Sequence, residues 1–146
     1  MQQPAILLVE DNADDADLTV LAFKNRRIAN PIVIARDGAE ALERLFGKAG
    51  DEKPPELPAV VILDLNLPKI PGIEVLKRIR STPRTAALPV VVLTTSVEEA
   101  DVLGSYRSGC NAYVQKPVSF DDFLEAAGQL DLFWLVLNVR PDADPA

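Results

Sequence analysis

Ala59-Val60-Val61-Ile62-Leu63-Asp64-Leu65-Asn66-Leu67-Pro68 decides the fold. Its apolar opening is unbroken from Ala59 to Leu63 and then meets an acid. A strand with one wet face would alternate apolar and polar side chains. An unbroken short run belongs to a strand covered on both faces, the condition of a parallel sheet. Similar runs recur at Ala5 to Val9, Pro31 to Ala35 and Leu88 to Leu93, and a weaker one at Ala112 to Gln115.

Helical periodicity fills the intervals. Leu18, Leu21 and Ala22 share one face, as do Leu42, Leu45 and Phe46, and then Ile73, Leu76 and Ile79. Asp37-Gly38, Gly72 and Ser119 stand where helices should begin, and Ser119 with Asp122 forms an acidic version of a capping box. Strands and helices alternate five times, which predicts a doubly wound α/β fold with a five-stranded parallel sheet and right-handed crossovers. The stretch from Gly47 to Pro58, rich in Gly, Pro and charge, reads as a long exposed loop. The chain is expected to be one domain over residues 1–139, with a loose polar tail over 140–146.

Composition narrows the functions. A length of 146 residues accommodates one average domain. Twenty-two acidic against fifteen basic residues give a net charge of −7, and an acidic surface repels phosphate backbones, so DNA binding is not expected. The single cysteine, Cys110, allows no internal disulfide and fits a reducing cytoplasm. The amino terminus lacks a basic region and a long apolar segment, so neither a secretory signal nor a membrane span is expected. Histidine is absent, which removes imidazole catalysis, imidazole metal ligands and a phosphohistidine carrier role.

Open α/β sheets bind ligands beyond the carboxyl ends of their strands. Those ends carry Glu10-Asp11, Asp64 with Asn66, Thr94-Thr95-Ser96, and Lys116-Pro117. If the first and third strands are neighbours, Glu10, Asp11 and Asp64 crowd together. Their repulsion calls for a hard cation, and oxygen donors of this kind suit Mg²⁺. Lys116 adds an ammonium and Thr94 a hydroxyl, so the set forms an electrostatic cradle for a phosphoryl group. Each residue alone has a blander reading: a strand-end acid usually caps a helix, and a lone lysine is usually solvated. The argument rests on complementary chemistry at four strand ends together. A calcium loop from Asp11 fails, because Ala16 and Ala22 occupy the turn-glycine and bidentate-acid positions. There is no Gly-rich nucleotide loop. Asp14, Asp15 and Asp17 are expected on the solvated face and first turn of helix one.

These residues resemble the receiver domain of two-component response regulators. The resemblance covers about residues 5–131 and rests on Leu8-Val9-Glu10-Asp11-Asn12, Ile62 to Pro68 with Gly72, Val92-Leu93-Thr94-Thr95, and Tyr113-Val114-Gln115-Lys116-Pro117. It implies the flavodoxin-like strand order 2-1-3-4-5. It also implies Asp64 as phosphoacceptor, and Mg²⁺ held by Asp11, Asp64 and the Asn66 backbone, with Glu10 acting on the metal largely through water. Thr94 would be the switch hydroxyl, Tyr113 the switch aromatic, and Lys116 the phosphate-pairing lysine, with Lys116-Pro117 a cis peptide. The phosphoryl donor would be a sensor histidine kinase, and phosphorylation would bias a two-state surface that includes Val102, Tyr106 and Tyr113.

Three features depart from the common receiver pattern. Pro71 precedes Gly72 where an acid is frequent, Thr95 follows the switch residue where a smaller side chain is usual, and the Gly47 to Pro58 loop is long. The stretch Leu130 to Leu137 is apolar on nearly all sides, more than a helix on one sheet face needs. This surplus, with Leu130, Phe133, Trp134 and Leu137 as contact residues, is expected to form a symmetric dimer; the alternative is a tail folded back on its own domain. The Phe-Trp-Leu ending and long loop resemble single-domain regulators paired with phytochrome-type histidine kinases, which implies a bacteriophytochrome partner. Two other functions compete: a pseudo-receiver that binds partners without phosphorylation, and a phosphohydrolase with Asp64 as nucleophile. The second would need an acid at the position held by Asn66. The expected role is therefore signalling, with no catalysis beyond the chain's own phosphorylation and dephosphorylation.

Overall fold

The computed structural model describes residues 4–25, 28–95 and 98–116. In chain order it has β1 (Ile6–Val9), α1 (Ala13–Asn25), β2 (Ile32–Ala35), α2 (Gly38–Phe46), β3 (Val60–Leu63), α3 (Gly72–Ser81), β4 (Val90–Thr94), α4 (Glu99–Arg107) and β5 (Ala112–Gln115). The strands are all parallel in the order β2-β1-β3-β4-β5. The expected fifth helix, its Ser119 cap and the apolar surface from Leu130 to Leu137 lie outside the described residues.

The unbroken apolar runs place side chains on both sheet faces. Ile6, Leu8, Ile62, Val91, Leu93 and Val114 meet Ala16 and Phe23 of α1 on one face. Leu7, Val9, Val61, Leu63, Val90 and Val92 meet α2 and α3 on the other. β1 and β3 are buried at every position, so the centre of the sheet supports the acids at its upper rim.

The expected inner face of α1 is corrected in part, since Ala22 packs against the core but its two leucines do not. Leu18 and Leu21 are 52% and 53% exposed, while Ala16, Thr19 and Phe23 are buried. The two stripes lie on opposite sides of the helix. Phe23 decides between them because it buries the largest apolar surface. Thr19 is acceptable inside because its hydroxyl donates to the Asp15 carbonyl at 2.9 Å. α2 and α3 pack as expected through Leu45, Leu76 and Ile79.

The lower rim is pinned by Arg80, at the end of α3. Its guanidinium donates to the carbonyls of Gly109 at 2.8 Å and Leu88 at 2.6 Å, and to Asn111 Oδ1 at 2.9 Å. Asn111 Oδ1 also accepts from the Val90 amide at 2.7 Å, where β4 begins. The Gly47 to Pro58 loop is tied as well, since Arg84 donates to the carbonyls of Leu45 and Pro55. Among the described residues, no helix is long and apolar enough to cross a membrane.

Candidate functional site

Backbone pairing brings the acids together. The Glu10 amide bonds the Ala35 carbonyl at 2.9 Å, and the Asp64 amide bonds the Val9 carbonyl at 3.0 Å. Two neighbouring central strands therefore end side by side in carboxylates. The Lys116 amide donates to the Thr94 carbonyl at 2.8 Å, which sets β5's last residue beside β4's.

Glu10 is 1% and Asp64 5% exposed, whereas Asp11 faces solvent. One carboxylate oxygen from each of Glu10, Asp11 and Asp64 lies within 4.8 Å of the others. This all-oxygen, anionic set fits a hard divalent cation better than a soft one. The Asn66 amide donates to Asp64 Oδ1 at 3.2 Å, and the Asn12 amide to Glu10 Oε2 at 3.2 Å. Each buried acid thus has one oxygen turned by its own following loop.

The remaining oxygens face Lys116. Its side chain is 7% exposed and its Nζ lies 2.9 Å from Asp64 Oδ2 and in contact with Glu10 Oε1. It also lies 3.0 Å from Asp15 Oδ2. Asp15 lies in the first turn of α1 as expected, but its half-buried carboxylate faces Lys116 rather than solvent alone. The Asn12-x-x-Asp15 spacing carried the signal. Asn12 Oδ1 accepts from the Asp15 amide at 3.0 Å, a cap that turns the fourth residue back towards the strand end.

Charge sharing shifts the titrations. Burial raises Glu10 from 4.5 to about 7, against the lowering hydrogen bond from Lys116 and with further raising by Asp64. Burial would lower Lys116, but its hydrogen bonds to Glu10, Asp64 and Asp15 win, and its net shift is upward. The lysine gains from all three acids, while Glu10 loses water on burial and faces a like charge.

Thr94 is fully buried, and its Oγ1 has no hydrogen-bond partner among the described residues. A buried hydroxyl without a partner costs about 1–3 kcal/mol. Tyr113 is half-buried and packs on the α2/α3 face, one strand over from Val92 in register. Tyr106 and Leu103 of α4 are exposed, while Val102 is half-buried. Gly72 lets α3 begin against the acid loop: a Cβ there would stand 2.2 Å from the Asp64 carbonyl oxygen. Pro117, and with it the expected cis peptide, lies outside the described residues.

The sequence matches the family described as response regulator receiver domain over residues 6–128. It is 41% identical over 136 residues to a probable methanogenesis regulatory protein, FilR2, of Methanothrix harundinacea, covering 93% of this chain and 86% of the relative. It is 39% identical over 138 residues to the response regulator Rcp1 of Synechocystis, covering 94% and 93%. A structure of Rcp1 in its Mn²⁺-bound form superposes with a TM-score of 0.74 at 39% identity, covering 90% and 94%. The bacteriophytochrome response regulator RtBRR superposes with a TM-score of 0.82 at 43% identity, covering 99% of this chain and 86% of that one.

Proposed function

The chain belongs to the response regulator receiver domain family, whose members are typically phosphorylated on aspartate, and from that premise we propose that Asp64 is its phosphoacceptor. The carrying observation is the convergence of Glu10, Asp11 and Asp64 oxygens within 4.8 Å, with the Lys116 ammonium against two of those acids.

An Asp64 oxygen attacks the phosphorus of a phosphohistidine on a sensor kinase. The P–N bond breaks, the imidazole leaves with the electron pair and takes up a proton, and an acyl phosphate forms. Receiver domains bind a divalent metal. For this chain we assign Mg²⁺, held by Asp11, Asp64 and the Asn66 carbonyl and steadied by Glu10; it would neutralise charge and align the transfer. Lys116 keeps its cation throughout and pairs a phosphoryl oxygen. Thr94 donates its hydroxyl to another, which satisfies a group that has no partner among the described residues. Tyr113 then changes place, and the surface around Val102, Tyr106 and Tyr113 carries the signal. The chain acts on itself and on no released substrate.

The kinase is of the bacteriophytochrome type by this reading, supported by the likeness to Rcp1 and RtBRR. FilR2, as similar in sequence, bears a name from methanogenesis, so the kinase assignment needs its own test. We also assign a cytoplasmic location and a receiver domain over residues 1–139. Output runs through protein contacts rather than DNA, and dimerisation uses Leu130, Phe133, Trp134 and Leu137, which lie outside the described residues.

Incubation with Mg²⁺ and acetyl phosphate, followed by intact mass, tests the central assignment. Wild type should gain one phosphoryl group and Asp64→Asn none. An equal gain in the variant, or none in wild type, overturns it. Phosphotransfer from a purified bacteriophytochrome of the same genome tests the partner.

A further inference from the structure

We infer that Asp15 is a positioning residue that competes for the Lys116 ammonium and thereby trades phosphoryl uptake against metal affinity. The inference rests on the phosphoacceptor reading of this site. Asp15 has no part in the Glu10–Asp11–Asp64 cluster, yet its Oδ2 stands 3.0 Å from Lys116 Nζ, as close as Asp64 Oδ2 at 2.9 Å. Its backbone is fixed without its side chain: Asn12 Oδ1 accepts from its amide and the buried Thr19 hydroxyl donates to its carbonyl. Its carboxylate is left to face Lys116.

An ammonium has three protons. Here Glu10, Asp15 and Asp64 take them. Two of those acids also belong to the cation cluster; Asp15 does not. When a cation occupies the cluster it weakens the hold of Glu10 and Asp64 on the lysine, but leaves that of Asp15 intact. Asp15 then becomes the principal rival of an incoming phosphoryl oxygen, and its own charge repels that anion.

The same residue favours the cation. It adds a negative charge near the cluster and draws the ammonium away from the carboxylates that must bind metal. Removing its charge should therefore move two quantities in opposite directions. The Asp15 side chain is 34% exposed, so screening keeps each effect small, about threefold.

The experiment compares full-length wild type, Asp15→Asn and Asp15→Glu. Mg²⁺ affinity is measured by calorimetry without a phosphodonor, and phosphoryl uptake from acetyl phosphate at saturating Mg²⁺. Asp15→Asn should bind Mg²⁺ about threefold more weakly and take up phosphoryl about threefold faster. Asp15→Glu should restore both towards wild type. A residue that only stabilises the start of α1 would lower both together. That pattern, or no change in either, overturns the inference. Wild-type protein that binds Mg²⁺ but takes up no phosphoryl would instead overturn the phosphoacceptor reading, while the Mg²⁺ comparison would still judge Asp15.

Discussion

Thr94 is buried at the end of β4. Its hydroxyl is buried without a partner among the described residues, so the isosteric Thr94→Val should stabilise the unphosphorylated protein by about 1 kcal/mol. Urea unfolding checks this, and a destabilised variant would show that the hydroxyl is satisfied in the resting state. Glu10 gives a pH prediction. Its folded value, raised by burial to about 7, exceeds its ordinary 4.5, so the folded state binds the proton more tightly. The resulting stability is full below about 4.5 and is lost as pH rises through about 7. In chelator, the difference in Tm between wild type and Glu10→Gln should therefore move against wild type between pH 5 and about 7.5, with added Mg²⁺ opposing the loss. A difference that stays flat would contradict it. At Gly72 the constraint is steric: Ala would press on the Asp64 carbonyl and cost about 1–3 kcal/mol, with weaker Mg²⁺ binding as the loop shifts. Unchanged Mg²⁺ affinity in a folded Gly72→Ala would show that the loop gives way elsewhere.

At the scale of elements, Arg80 joins the end of α3 to the beginnings of β4 and β5. Arg80→Lys keeps charge but cannot reproduce the planar fork that reaches Gly109, Leu88 and Asn111 together. It should cost about 2–3 kcal/mol in urea unfolding while leaving Mg²⁺ affinity unchanged, since Arg80 lies at the rim away from the acids. A loss of Mg²⁺ binding would mean that the two rims are coupled. Four of the five strands were legible as nearly unbroken apolar runs, with Ala112 to Gln115 weaker, and the acids were legible because they end two of those runs. Arg80 was not, because a guanidinium that gathers carbonyls from separate loops leaves no periodic trace in sequence. α1 misled for a related reason. It carries two apolar stripes, Leu18 with Leu21 and Ala16 with Phe23, and only tertiary packing chooses between them. Asp15 was hidden by its neighbours, since acids in a helix's first turn already have an adequate explanation in the dipole.

For the whole molecule, the proposed dimer surface predicts a concentration-dependent mass. Full-length protein should sediment as a dimer at micromolar concentration, and Trp134→Glu with Leu137→Glu should give a folded monomer that still takes up phosphoryl. A wild-type monomer at all concentrations would remove the dimer from the proposal. The two ends of β4 also differ in kind. Val90 is fastened through Asn111 and Arg80, whereas the Thr94 hydroxyl has no partner among the described residues. The base of the strand is thus held by side chains as well as backbone, and its tip by backbone pairing with β5. Under the proposed phosphorylation, chemistry at the tip would act on neighbouring surface while the base stays held, which would let such a chain be rewritten for new listeners while its sheet stays the same.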